Sequence, residues 1–114
     1  MEDCIFCKIA NKDIPAKAVY EDGEIIAFDD INPQAPVHVL LIPRKHYTSL
    51  NDLTDDEQAL LGHILLKARH IAQLKGIKDS GYRIVLNTAR DSGQEVFHIH
   101  FHVLGGRRMT WPPG

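Results

Sequence analysis

The chain has 114 residues, 44% of them hydrophobic and 25% charged, with a formal net charge of −2 when its histidines are neutral. That length accommodates one domain with a real core and leaves no room for two. The nearly balanced charge gives no electrostatic case for nucleic acid or an acidic membrane surface, and no window approaches the roughly 18 apolar residues of a membrane span.

The opening stretch, MEDCIFCKIANKD, has no basic leader followed by a long apolar run, so no signal peptide is expected. Two cysteines are too few for a secreted disulfide scaffold, and in an expected cytoplasmic setting they read as reduced thiols or metal ligands. Residues 4–10, CIFCKIA, suit a short helical turn presenting Ile5, Phe6 and Ile9. Two short strands are expected at 17–21 and 25–29, separated by the turn signal DG. NPQAP at 32–36 is a loop, because its prolines remove donors and push their neighbours extended. VHVLLIP, 37–43, is an apolar strand closed by proline and interrupted by one polar residue, His38.

Residues 54–75 form the one strong helix. Thr54 and Glu57 have capping-box spacing; Leu60, Leu61, Ile64, Leu65, Ala68, Ile71 and Ala72 follow helical periodicity, and Gly76 stands where a C-terminal cap belongs. Strands are then expected at 82–87 and 97–104, joined by the loop TARDSGQE. Strands on both sides of one main helix predict an α+β fold, a mostly antiparallel sheet with a helix on one face. The tail GGRRMTWPPG has no regular pattern, but Trp111 is too large an apolar group to be left in solvent without cause.

VFHIHFHVL, 96–104, carries the chemistry. His98, His100 and His102 alternate with Ile99, Phe101 and Val103, so three imidazoles share one face while the other face enters the core. The three span about 13 Å, too far to share one metal through nitrogen bonds of about 2.0 Å. A neutral imidazole is a nucleophile towards phosphorus and a proton carrier near neutral pH. The loop DSGQEV leads into this strand; Gly93 permits close backbone approach to a phosphate, and Asn87 adds an amide donor. Cys4 and Cys7 are spaced like half of a tetrahedral zinc site.

GQEVFHIHFHVLGG resembles the His-x-His-x-His motif of the histidine-triad (HIT) superfamily, in its nucleotide-binding HINT branch. IPAKAVYED, AFDDINPQAPVHVLLIP, GYRIVLN and WPPG match further, so the resemblance runs from about residue 4 to the C-terminus, and a single HIT domain over 1–114 is expected. It implies a HIT-like fold: a five-stranded mostly antiparallel sheet, one long helix and a short N-terminal helix, with sheets joined across a homodimer. It also implies a nucleoside phosphoramidase, a hydrolase that cleaves the P–N bond of purine nucleoside 5′-phosphoramidates such as AMP-lysine. His100 would be the nucleophile, flanked by His98, His102 and His38. Asp30 would hold the ribose hydroxyls, and Ile5, Phe6, Ile9, Phe28, Ile31 and Leu40 would wall the base pocket. Asn87, Gly93, Glu95 and Val96 map to the phosphate contacts, and Trp111 would reach the partner subunit's site. Glu95 departs from a serine common in the family, and an ionised carboxylate there repels phosphate. No cofactor is required for the chemistry. The resemblance implies that His46 and His98 complete a structural zinc site with Cys4 and Cys7. The rival readings are a dinucleoside polyphosphate hydrolase of the same fold and a non-catalytic nucleotide-binding or interaction protein.

Overall fold

The structure, a computed structural model, describes residues 3–114. Helix α1 (Ile5–Ala10) opens the chain, with the Cys4 Sγ accepting the Cys7 N–H at 3.3 Å as its N-terminal cap. Strands β1 (Ala18–Glu21) and β2 (Ile25–Asp29) form the expected hairpin. Asp22 builds its turn: one carboxylate oxygen accepts the Glu24 and Ile25 N–H groups, and the other accepts from Tyr20 and contacts His63 at 2.7 Å. His63 thus ties the long helix to the hairpin. Strand β3 (Val37–Pro43) pairs antiparallel with β2.

Helix α2 (Gln58–Leu74) is shorter at its start than the spacing predicts, because Asp55–Glu57 wind as a tighter 3₁₀ turn. Thr54 accepts the Asp56 N–H and donates its hydroxyl to Glu57, and three acidic residues face the positive end of the helix. Its buried stripe is Ile64, Ala68, Ile71 and Ala72. Leu65, expected on that stripe, is 49% exposed beside Leu66 on the outer face.

Strands β4 (Tyr82–Leu86) and β5 (Phe101–Gly105) complete a five-stranded antiparallel sheet of order β1-β2-β3-β5-β4. β5 begins four residues later than the alternation suggests. Its ladder with β3 ends at Leu41↔Phe101. Continuing it would set residue 99 against Pro43, which has no N–H to donate. The Ile99 N–H bonds the Tyr47 carbonyl instead, at 2.7 Å. His98 and His100 therefore stand in an irregular lead-in, and only His102 is a strand residue. The alternation of faces nevertheless persists, with Ile99, Phe101 and Val103 all in the α2-side core.

The sheet is covered unequally. On one face Ile25, Ala27, Val39, Leu41, Phe101 and Val103 pack against α2. On the other, Phe6, Ile9 and Ala10 of α1 lie on Ile26, Phe28, Leu40 and Ile42. Burial on both faces explains why β2 and β3 read as nearly continuous apolar runs rather than alternating ones. One short helix cannot cover that second face, and the histidines occupy what it leaves open. No helix among the described residues is long and apolar enough to cross a membrane.

Candidate functional site

His38 on β3 and His102 on β5 meet across the ladder, with His38 Nε2 2.8 Å from His102 Nδ1. The Gln34 N–H donates to His38 Nδ1 at 3.0 Å, so the proton of neutral His38 resides on Nε2. It is donated to His102 Nδ1, which leaves the His102 proton on its own Nε2. That atom is buried and has no hydrogen-bond partner among the described residues. A chain of hydrogen bonds starting at a backbone amide thus leaves one imidazole N–H unpaired at the cleft.

Burial pushes His38 below the usual histidine range, opposed by the Asp30 carboxylate. His102 is depressed to about 4, by burial first and then by His100 and His38. Both rings are neutral at neutral pH, as the hydrogen-bond chain requires.

His100 has the complementary arrangement. Its Nδ1 lies 2.8 Å from the His98 carbonyl, which can only accept, so Nδ1 carries the proton and Nε2 a free lone pair. The rings of His100 and His102 are 5.0 Å apart, and Phe6 of α1 stands edge-on to His100 at 5.1 Å.

The ring of His98 points elsewhere. It is fully buried, and its Nε2 donates to the Pro43 carbonyl at 2.8 Å. Its Nδ1 faces Cys4 Sγ at 3.3 Å, Cys7 Sγ at 3.5 Å and His46 Nδ1 at 3.2 Å, while Cys7 Sγ lies 3.3 Å from His46 Nδ1. A zinc ion with bonds of about 2.3 Å to sulfur and 2.0–2.1 Å to nitrogen has tetrahedral edges of about 3.3–3.8 Å. Two thiols and two imidazole lone pairs at these separations fit such an ion. Burial, followed by Cys4, pushes the Cys7 thiol up, so a cation there would compete with a proton.

Between α1, the β2–β3 connection and the 87–96 loop opens a cleft of about 1000 Å³. Its apolar wall includes Ile5, Phe6, Ile9, Phe28, Ile31, Leu40 and Val96. Asp30, Asn87, Gly93 and Glu95 border it with His38, His100 and His102. Asp30 Oδ1 is engaged by the Asn32 N–H at 2.8 Å, and Oδ2 lies 3.5 Å from His38 Nε2. Gly93 adopts φ +88°, a backbone state that glycine alone enters freely. Buried Gln94 shapes this loop: its carbonyl accepts the Ala89 N–H, and its amide donates to the Thr48 and Val96 carbonyls.

A protein-family model for the HIT domain matches residues 11–109. The chain belongs to the HIT family. Within it, the HIT protein resembles an uncharacterised HIT-like protein of Synechocystis, 55% identical over 99% of this chain and 98% of the relative. It also resembles protein HitA of Neisseria gonorrhoeae, 52% identical over 92% and 97% of the two chains. Among solved structures, a HIT family hydrolase from Legionella pneumophila superposes with a TM-score of 0.96 at 55% identity, covering 98% of this chain and 100% of that one. A histidine triad nucleotide-binding protein from Candida albicans gives 0.82 at 32% identity, covering 96% and 83%.

Of the catalytic and nucleotide-binding residues singled out in this HIT chain, two lie away from the cleft. His98 is turned into the cysteine cluster, and only its backbone serves the triad. Trp111 is 81% exposed on the C-terminal tail and does not line the cleft. Sequence reasoning passed over Gln34, Pro43 and Gln94, which act on the histidines or their loop through backbone groups or a clamp. It also passed over Lys17, which borders the cleft. Only Gln94, a polar residue beside a required glycine, left a signal that could have been read.

Proposed function

We propose that this protein is a nucleotide hydrolase cleaving the P–N bond of purine nucleoside 5′-phosphoramidates. The observation that carries this reading is the opposed protonation of two neighbouring rings. His100 offers an unprotonated Nε2, and His102 offers an unpaired Nε2–H, at one cleft with an apolar wall. In the first step His100 Nε2 attacks phosphorus and a P–Nε2 bond forms. The P–N bond to the amine breaks, and the departing nitrogen takes up a proton from solvent. Water then attacks the nucleotidyl-histidine, releasing the nucleoside monophosphate and a proton and returning His100 to its starting form. The His102 Nε2–H serves the phosphoryl oxygens, where charge develops. The His98 carbonyl, bonded to Nδ1–H, steadies the positive charge that the ring acquires during attack.

Apolar groups of α1, β2 and β3 suit a purine face, and Asp30 suits the ribose hydroxyls. Among the described residues Lys17 is the only cation lining the cleft, against Asp29, Asp30 and Glu95. That balance disfavours a polyphosphate leaving group and favours an amine over the dinucleoside polyphosphate alternative.

The same reading includes a homodimer, which gives the exposed Trp111 a partner's cleft to approach. It also includes a structural zinc held by Cys4, Cys7, His46 and His98. Four protein ligands leave no open position for water, so the ion would brace the fold and supply no chemistry of its own.

The test is turnover of a fluorogenic adenosine phosphoramidate by wild type and His100→Ala, with mass spectrometry of acid-free quenched mixtures. The expected result is turnover with an AMP adduct on the peptide bearing His100, and neither in the variant. Turnover surviving in the variant would overturn the mechanism.

A further inference from the structure

His98 belongs to two sites at once. Its ring nitrogen Nδ1 faces Cys4, Cys7 and His46, while its main-chain carbonyl receives the His100 Nδ1–H at 2.8 Å. The ring is pinned from behind by the Pro43 carbonyl at 2.8 Å, so a shift of the ring and a shift of the carbonyl are not independent. A second link runs through α1. Phe6 lies in sequence between the two cysteines and packs edge-on against His100 at 5.1 Å, Phe28 at 5.7 Å and His98 at 6.0 Å. Helix α1 is short, and the Cys4 and Cys7 thiols hold its first turn to His98, in the lead-in to β5, and to His46, in the segment after β3. Arg44 holds its last turn through the Ala10 carbonyl at 2.9 Å.

From these contacts we infer that the Cys4–Cys7–His46–His98 cluster is energetically coupled to the nucleotide cleft, so that a divalent cation in the cluster and a nucleotide in the cleft strengthen each other's binding. The inference rests on the nucleotide reading of the cleft given above and deepens it. Cys4, Cys7 and His46 are positioning residues: they touch no substrate, and they act through His98 on the nucleophile and through Phe6 on the base wall. A cation drawing the four ligand atoms together removes freedom from α1 and from the His98 carbonyl. A nucleotide seated against Phe6 and His100 removes the same freedom, and whichever binds second finds that ordering already done. Coupling between binding sites is reciprocal by thermodynamic necessity, which makes the claim measurable from either side.

The experiment measures the Zn²⁺ dissociation constant of the full chain by chelator competition, without and with saturating AMP. In parallel, the AMP dissociation constant is measured for zinc-loaded and chelator-stripped protein. The expected result is about tenfold tighter zinc binding with AMP and the same factor for AMP with zinc. AMP that binds while zinc affinity stays unchanged overturns the coupling and leaves the nucleotide reading intact. AMP that binds neither form overturns both. Should the stripped protein unfold, Co²⁺-loaded protein supplies the readout without an empty state. AMP addition is expected to move the cobalt d–d absorption bands, and bands unmoved at saturating AMP sink the coupling. Cys7→Ser is expected to weaken AMP binding to zinc-treated protein and to make it insensitive to added zinc. Unaltered AMP affinity in that variant would count equally against the inference.

Discussion

The Nε2 of His38 and the Nδ1 of His102 are 2.8 Å apart, and the only orientation consistent with the Gln34 N–H on the far side of His38 sends the proton from His38 to His102. His38 is therefore expected to work by fixing the tautomer of His102 rather than by touching phosphorus.

His38→Ala frees His102 to place its proton on Nδ1, which turns a donor into an acceptor at the cleft. Turnover number is expected to fall about tenfold, less than the roughly 10²–10³-fold loss typical of deleting a direct oxyanion donor, as His102→Ala would do. His38→Gln carries an amide N–H to about the same place and is expected to recover part of the loss. Equal turnover numbers for the alanine and glutamine variants would show that the tautomer is set some other way.

The same buried pair makes stability depend on pH with a definite sign. His102 is depressed to about 4 and His38 is lowered, both by burial first, so the unfolded chain binds more protons than the native protein once pH falls below about 6.5. Their contribution is fully present above that value. For His102 it is lost progressively towards pH 4, by up to about 1.4 kcal/mol per pH unit, and His38 adds to the decline in the same direction. Urea unfolding midpoints between pH 7.5 and 4.5 should decline along this course, and His102→Gln should flatten the decline. A midpoint that rises as pH falls through 6 would contradict the burial argument.

Two glycines with the same backbone angle separate strain from space. Gly93 and Gly106 both have φ +88°, but a Cβ on Gly93 meets nothing within 4 Å, whereas one on Gly106 would lie 2.8 Å from the Pro36 Cβ. Gly93→Ala should cost only the left-handed strain, about 1–2 kcal/mol. Gly106→Ala should cost that strain plus overpacking against a rigid ring, about 2–4 kcal/mol together. Denaturant titration of both variants checks the order, and equal losses would mean that Pro36 yields.

The parts legible in the sequence were those governed by local period and by side-chain type. Alternation in 98–103 correctly marked the core face, because Ile99, Phe101 and Val103 point to α2 whether or not each residue is in the ladder. The α2 stripe was legible through Ile64, Ala68 and Ile71, but Leu65 lies at its margin, where burial depends on what packs alongside. The start of β5 was not legible, since it depends on a proline in β3 that lies opposite only once the register is known. Nor were the tautomers of His38 and His100. They are set by a backbone amide and a backbone carbonyl, groups that every residue carries and no composition reveals. The four-residue cluster draws on the N-terminus, the segment after β3 and the lead-in to β5, so its closure depended on the family resemblance rather than on spacing.

Glu95 sets the remaining expectation. It is exposed at the border of the cleft beside Gly93 and Val96, and no cation pairs with it among the described residues. A carboxylate there repels an anionic leaving group and attracts a cationic one, through a solvent-screened interaction worth about 1 kcal/mol or less at an exposed site. Glu95→Ser should leave turnover intact, because the attacking and donating nitrogens are untouched. It should change the ratio of kcat/KM between a lysine-derived and a glutamate-derived adenosine phosphoramidate several-fold, within the roughly tenfold that 1.4 kcal/mol allows. The difference should shrink in high salt, as an exposed charge requires. Identical ratios for wild type and variant across an amine series would mean that Glu95 points away from the leaving group and plays no part in its selection.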